Sequence, residues 1–132
     1  MVIFDTNVII DIATQDPLWW QWSLAVRDSA DVIGGAAIND VVFAELCTRY
    51  ATVEEVDELL DILELPIHPI PREGLFLAAK AFEAYRHAGG SREHVLPDFF
   101  IGAQALVMGA QVATRDARRF RTYFPTLKLI TP

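Results

Sequence analysis

Short apolar runs alternate with stretches of helical spacing along the whole chain, and this alternation restricts the fold more than any other feature. Runs at residues 2–4, 36–38 and 111–114 predict short buried strands. Each run precedes a segment that is typical of a helix, and strands that alternate with helices form a mainly parallel sheet covered by helices. The chain is therefore predicted to be α/β, a three-layer α/β/α sandwich.

Caps, turns and prolines indicate the remaining elements. Apolar residues between prolines at 66–71 predict an edge strand, where proline is tolerated, and a last strand is predicted at 128–130, which makes five. Thr52 and Glu55 form a capping box that begins a helix. The predicted helices cover residues 6–13, 17–29, 43–50, 53–63, 72–88, 97–109 and 117–121, with a loop at 91–96.

Length and composition fit one domain that spans residues 1–132. Hydrophobic residues make up 52% of the 132 residues, enough for a core without disulfides, and the single cysteine points to a reducing compartment. The N-terminal segment lacks the basic leading region of a signal peptide. The most apolar later stretch, 99–113, is too short to cross a bilayer. We therefore expect a cytoplasmic protein without a membrane partner.

Charge is distributed unevenly along the chain. The formal net charge of −7 argues against general nucleic-acid binding, although it fits an acidic site whose charge is cancelled by bound cations. Four arginines nevertheless fall within seven residues and form a local positive patch: Arg115, Arg118, Arg119 and Arg121.

Four acidic residues lie near predicted junctions between strands and helices. Asp5 and Asp116 follow predicted strands, whereas Glu45 and Asp98 lie in the first turns of predicted helices. Each acid alone has an ordinary structural explanation. Asp5 and Asp116 could cap helices, and Asp98 could complement a helix dipole. Glu45 could pair with Arg49 one helical turn later.

Taken together, the four acids favour a metal site, because ligands lie beyond the carboxyl ends of parallel strands. Carboxylates about 4 Å apart repel by roughly 4 kcal/mol per pair at an effective dielectric near 20. Such a cluster raises its pKa values or separates unless a cation lies among its members. Carboxylate oxygens suit magnesium or manganese rather than zinc. We predict that the cation is held by Asp5, Glu45, Asp98 and Asp116.

Four sequence segments extend this prediction: VIFDTN at 2–7, AEL at 44–46, LPDFFIGA at 96–103 and ATRDARRF at 113–120. Together they resemble the PIN-domain nuclease family, and the last two are similar to VapC-type toxins of toxin–antitoxin pairs. The resemblance covers essentially the whole chain, in the order found in the family. It implies a five-stranded parallel sheet between helices, cleavage of RNA that depends on magnesium or manganese, and an inhibitory antitoxin.

The resemblance also assigns roles to individual residues. The acidic positions of the family match the four predicted ligands, which makes Asp5, Glu45, Asp98 and Asp116 the expected catalytic residues. Supporting positions match Thr6, Thr114 and Asn39, the last of which stands where the family often has serine. The implied reaction is attack of a metal-activated water on a phosphodiester. The RNA phosphates are expected to contact Arg115, Arg118 and Arg119.

Aromatic residues near the N-terminus indicate where a partner would bind. Trp19, Trp20 and Trp22 cannot all face one side of a single helix, so we expect one of them at the surface. The family places antitoxin segments across its early helices, which favours a protein interface over base stacking here. We also expect a homodimer formed through exposed apolar helix faces.

Two other functions remain open at this point. A metal-dependent phosphohydrolase of the haloacid-dehalogenase or receiver type also has an aspartate after its first strand. Asp5, however, is followed by Thr6 and Asn7, with no second aspartate two residues on. A non-catalytic interaction module could retain the nuclease fold without activity. The presence of all four acids argues against this reading, and a metal titration would distinguish it.

Overall fold

A computed structural model describes residues 1–91 and 96–132, so that most of the loop predicted at 91–96 lies outside the described residues. The strands are β1 (Val2–Phe4), β2 (Ala36–Ala37), β3 (Gln111–Ala113) and β4 (Leu129–Ile130). The helices are α1 (Thr6–Thr14), α2 (Trp20–Ala30), α3 (Asp40–Cys47), α4 (Val53–Ile62), α5 (Arg72–His87), α6 (Leu96–Met108) and α7 (Arg118–Tyr123). The predicted alternation of strands and helices is confirmed.

The strands form one parallel sheet in the order β2-β1-β3-β4. Four strands are present in the described residues, whereas the sequence predicts five. The segment at 66–71 contributes only a parallel bridge between Ile38 and Ile67, beside β2. Pro66, Pro69 and Pro71 have no N–H to donate, so the ladder cannot extend beyond this bridge.

The strand order places a topological switch point between β1 and β3. From β1 the chain moves outward to β2 and the Ile67 bridge, and then returns to β3 and β4 on the other side. Because crossovers of this kind are right-handed, connections that run in opposite directions cover opposite faces. The contacts agree, since α1 packs on α2 and α3 while α6 packs on α5 and α7. Ligands bind beyond the carboxyl ends of the strands at such a point.

An aromatic cluster holds α6 against its neighbours. The ring of Phe99, which is fully buried, makes edge contacts with Phe82 and Tyr123 at centroid distances of 5.8 and 5.3 Å. At Gly102, a Cβ atom would lie 2.5 Å from the ring of Phe124, so the close approach requires glycine. This packing fixes α6, which carries Asp98 in its first turn.

The start of α2 differs from the predicted one. Asp16 accepts hydrogen bonds from the backbone N–H groups of Leu18 and Trp19, at 2.9 and 3.1 Å, and so forms a turn before the helix begins at Trp20. Trp19, Trp20 and Trp22 are all half-buried, so the expectation that one of them is exposed is wrong.

In the described parts of the chain, no helix is long and apolar enough to cross a membrane.

Candidate active site

Asp5 lies at the switch point, directly after β1. Its backbone N–H donates to the carbonyl of Ala113 at 3.0 Å, which places it beside the end of β3. The residue is 7% exposed, and its Oδ2 accepts hydrogen bonds from Thr114 Oγ1 at 2.7 Å and Asn7 Nδ2 at 3.1 Å. Asp5 precedes α1 but makes no side-chain cap hydrogen bond, so capping does not explain it.

Glu45 reaches the same region from α3. The hydroxyl of Thr6 donates to Glu45 Oε2. The helix is held by Asn39, which is fully buried: its Oδ1 accepts from the N–H of Val42 at 2.9 Å, and its Nδ2 donates to Gln104 Oε1 at 3.0 Å. Asn39 therefore performs the capping that serine or threonine could also perform, and in addition ties α3 to α6.

Asp98 and Asp116 both pair with arginines of α7. Arg119 donates to Asp98 Oδ2 at 3.0 Å, where the aspartate side chain is 19% exposed. Arg118 makes two hydrogen bonds to Asp116, from Nε to Oδ1 and from the second guanidinium nitrogen to Oδ2, both 3.0 Å long. These two side chains are more exposed, at 86% for the arginine and 44% for the aspartate. The arginine patch thus lies against the acids.

The four acids share a neighbourhood, but within residues 1–91 and 96–132 no three acidic side chains converge on a point where a metal ion would fit. The reason is visible in the contacts, because three of the carboxylates are turned toward their own donors: Thr6 for Glu45, Arg119 for Asp98 and Arg118 for Asp116. A cation would have to replace some of these donors.

Electrostatics shows how closely three of the acids interact. The pKa of Asp5 is raised to about 7, chiefly by burial and also by the charges of Asp98 and Glu45, which together outweigh the hydrogen bond from Thr114. Burial likewise raises the pKa of Asp98 to about 6, although Arg119 opposes the change. The pKa of Asp116 is instead lowered, chiefly by its hydrogen bond from Arg118. A cation bound beside Asp5 and Asp98 would therefore lower the electrostatic cost of ionising these two carboxylates.

The raised pKa of Asp5 predicts that the metal-free protein loses stability as the pH rises. Asp5 keeps its proton to about pH 7 when folded, but loses it near its ordinary pKa of 3.8 when unfolded. The contribution of protonated Asp5 to the free energy of unfolding is therefore present below about pH 4 and lost by pH 7. Its size is on the order of 4 kcal/mol, because each pKa unit of difference between the folded and unfolded states corresponds to about 1.4 kcal/mol. Asp5→Asn should gain stability relative to the wild type over this range, measured by urea unfolding in EDTA.

The matched control for this measurement is Asp57→Asn, on the exposed face of α4. Its stability difference from the wild type should be nearly independent of pH. A flat difference for Asp5→Asn as well would show that folding does not raise the pKa of Asp5.

Three polar residues near the site were missed by the sequence analysis. Asn7 donates to Asp5, and Gln104 receives the Asn39 amide while donating to the carbonyl of His68 at 3.1 Å. Asp11 is 2% exposed and paired with Arg115. The available signal was a polar residue within an otherwise apolar helix face, as in VIID at 8–11 and IGAQA at 101–105, because such residues need buried partners.

Comparisons with known proteins agree with this geometry. No curated protein matches the chain in sequence. Among solved structures, VapBC2 from Rickettsia felis, bound to a DNA fragment from its promoter, is similar with a TM-score of 0.70 and 20% identity, covering 99% of this chain and 98% of that one. VapBC-1 from nontypeable Haemophilus influenzae gives 0.71 and 16%, covering 99% and 98%.

A third similar structure is FitAcB from Neisseria gonorrhoeae, with a TM-score of 0.68 and 22% identity, covering 98% of this chain and 96% of that one. At these identities the structural likeness establishes the fold. The model of the PIN domain family matches residues 2–124, nearly the whole chain. The chain therefore belongs to the PIN domain family.

Proposed function

We propose that this protein is a metal-dependent endoribonuclease and the toxin of a toxin–antitoxin pair, acting in the cytoplasm. The observation that carries the proposal is the buried carboxylate of Asp5 at the switch point, whose pKa is raised by burial and by the charges of Asp98 and Glu45. Strongly perturbed carboxylates in a sheet-edge crevice are typical of functional sites. A structural ion pair would not need three acids of like charge beside one another.

The donor set fits Mg²⁺ or Mn²⁺. Asp5, Asp98, Glu45 and Asp116 offer only oxygen ligands, which hard divalent cations prefer. Both side-chain donors to Asp5 reach Oδ2, which leaves Oδ1 as its natural ligand atom. A bound cation supplies positive charge that polarises a phosphodiester and lowers the pKa of a water molecule.

The protein's own residues would position and bind the RNA. Thr114 and Asn7 hold the Asp5 carboxylate in one orientation, and Thr6 does the same for Glu45. Arg118 and Arg119 lie beside the acids, and their guanidinium groups would be available to RNA phosphates if Asp116 and Asp98 held a cation instead. Their charge offsets the repulsion between RNA and a chain of net charge −7.

Removal of divalent cations tests the proposed reaction. RNA cleavage should stop in EDTA and return with Mg²⁺ or Mn²⁺, because the proposed ligands are all carboxylates. Calcium, which has looser coordination geometry, should restore less activity. A general phosphomonoester should not be hydrolysed under the same conditions.

Three results would contradict this prediction. Cleavage that persists after exhaustive chelation would exclude a mechanism that uses a metal. Failure to bind Mn²⁺ at all would favour the non-catalytic interaction module. Hydrolysis of the phosphomonoester without RNA cleavage would favour the phosphohydrolase.

The antitoxin part of the proposal is supported by two similar structures, a toxin–antitoxin complex from Klebsiella pneumoniae and a member of the VapBC family of toxin–antitoxin systems from Mycobacterium tuberculosis. A groove between α1 and α4 supplies a surface for a partner helix, lined by the acidic Glu55 and Glu58 and by Ala13, Tyr50, Leu59 and Ile62. Ile62 is 71% exposed there. This surface replaces the three tryptophans as the proposed docking site, because those side chains are half-buried.

Co-expression with the neighbouring small open reading frame tests the partner. We expect the two products to co-purify and RNA cleavage to be inhibited in the complex. Ile62→Glu should weaken the complex, since it replaces an exposed apolar side chain of the groove with a charged one, while Asp28→Asn at an exposed position of α2 should not. Light scattering should also show the homodimer. A monomeric protein that co-purifies with no partner would contradict this part of the proposal.

A further inference from the structure

Arg115 stands out because its side chain, which is 30% exposed, is paired with a buried acid of the protein itself rather than free for RNA. It makes a two-bond ion pair with Asp11, from Nε to Oδ2 at 2.6 Å and from a terminal nitrogen to Oδ1 at 3.0 Å. Ser23 donates to the same carboxylate at 3.1 Å, and the guanidinium lies 5.5 Å from the ring centre of Trp19. Asp11 is 2% exposed, so losing Arg115 would leave a buried carboxylate without its cation.

The main chain of Arg115 connects this ion pair to the candidate site. Its N–H donates to Asn7 Oδ1 at 3.3 Å, and the other end of the same amide, Nδ2, donates to Asp5 Oδ2 at 3.1 Å. The backbone of the loop after β3 therefore decides which way the Asn7 amide points. If that loop moved, the hydrogen bond from the Arg115 N–H to Asn7 Oδ1 would be lost. The NH₂ group of Asn7 would then no longer be held toward Asp5.

We propose that the Asp11–Arg115 ion pair positions Asp5 for its cation by acting through Asn7. The pair anchors the loop after β3 to α1. The loop orients the Asn7 amide, and Asn7 together with Thr114 holds Oδ2 of Asp5. Asp5 would thereby present Oδ1 to the cation. This inference rests on the proposed metal site, and it makes Arg115 a positioning residue rather than a phosphate contact.

The two roles of Arg115 predict opposite changes in Mn²⁺ affinity. Removing a positive charge near a cation site by itself strengthens cation binding. Removing a residue that orients a ligand weakens it, typically tenfold or more. In Arg115→Gln we therefore expect Mn²⁺ binding, measured by calorimetry without RNA, to weaken by about tenfold. In cleavage assays, kcat should fall while KM for RNA stays constant, whereas loss of a phosphate contact would raise KM.

Arg121→Gln is the matched control. Arg121 is an exposed arginine on α7 that takes no part in the network, and the substitution removes the same charge from the same patch. Its Mn²⁺ affinity should be unchanged or slightly higher. If Arg115→Gln behaves like Arg121→Gln, the positioning role is overturned.

The path through Asn7 is tested by a double variant. If Arg115 acts through Asn7, then Asn7→Ala combined with Arg115→Gln should bind Mn²⁺ as weakly as Asn7→Ala alone. Additive losses would overturn this path. Circular dichroism checks that each variant is folded. Should Arg115→Gln not fold, Arg115→Lys replaces it, since lysine retains the charge but not the two-bond fork. Unchanged Mn²⁺ affinity in that variant would also overturn the inference.

The proposed function and the positioning role can fail separately. If the wild-type protein and Asp5→Asn both fail to bind Mn²⁺, the metal site itself is wrong. If the wild type binds Mn²⁺ and Asp5→Asn does not, the site stands. In that case, equal binding by Arg115→Gln and the wild type refutes only the positioning role.

Discussion

Asp5→Asn is expected to lower the rate of RNA cleavage by about a hundredfold or more, the scale of losing one key electrostatic group. Asparagine has nearly the same shape and can still accept hydrogen bonds from Asn7 and Thr114, so the fold should persist. It lacks the negative charge that would hold the cation. Single-turnover cleavage of a defined RNA with saturating Mg²⁺ measures the change. Asp57→Asn, at an exposed position of α4, serves as the control.

The other acids should differ in a way that their surroundings explain. Asp98→Asn and Glu45→Gln should approach the effect at Asp5, because both charges act on the buried Asp5 carboxylate. Asp116→Asn should be the mildest, since that side chain is 44% exposed and paired with Arg118. Any of these variants that folds and remains fully active removes its residue from the proposed site.

Phe99→Ala should lower the free energy of unfolding by about 4 kcal/mol, within the usual range for losing a buried phenylalanine. The ring is fully buried, and it contacts four aromatic rings from α5 and from the end of α7 and the residue after it: Phe82, Tyr85, Tyr123 and Phe124. Gly102 already brings Phe124 close, so the neighbours have little freedom to fill the space. A loss of this size is a large part of the stability of a small domain.

Urea unfolding in EDTA measures this change, and Phe76→Ala is the control. Phe76 is on α5 but 67% exposed, so its replacement should shift stability by no more than about 0.5 kcal/mol. Equal losses in the two variants would show that the aromatic cluster does not anchor α6. The substitution at Phe99 should also reduce Mn²⁺ affinity, because Asp98 lies directly before it.

The sequence predicts the positions of the acids better than their partners. Asp5 directly follows an apolar run of three residues, all fully buried in β1, and parallel strands bring such positions to one edge. That rule needs only the order of elements. The pairing of Asp98 with Arg119 depends on how α7 packs against α6, which residue spacing does not encode.

The partner of Arg115 also could not be predicted from residue spacing. Its place in an arginine-rich segment predicts a surface cation, yet the structure pairs it with Asp11. The pairing joins residues far apart in sequence, so it could be anticipated only from the demand of a buried acid for a partner. The start of α2 was misplaced for a local reason, because Asp16 caps a turn instead of the helix itself.

The interrupted fifth strand affects how two copies of this chain can associate. An open sheet edge normally offers unpaired N–H and C=O groups to which a foreign strand can add. Beside β2, the edge segment has a proline at 66, 69 and 71, and the opposite edge is β4, only two residues long. Neither border can template a continuous intermolecular ladder. We therefore expect any self-association of this protein to use helix faces, and edge-to-edge pairing of its sheet to be disfavoured.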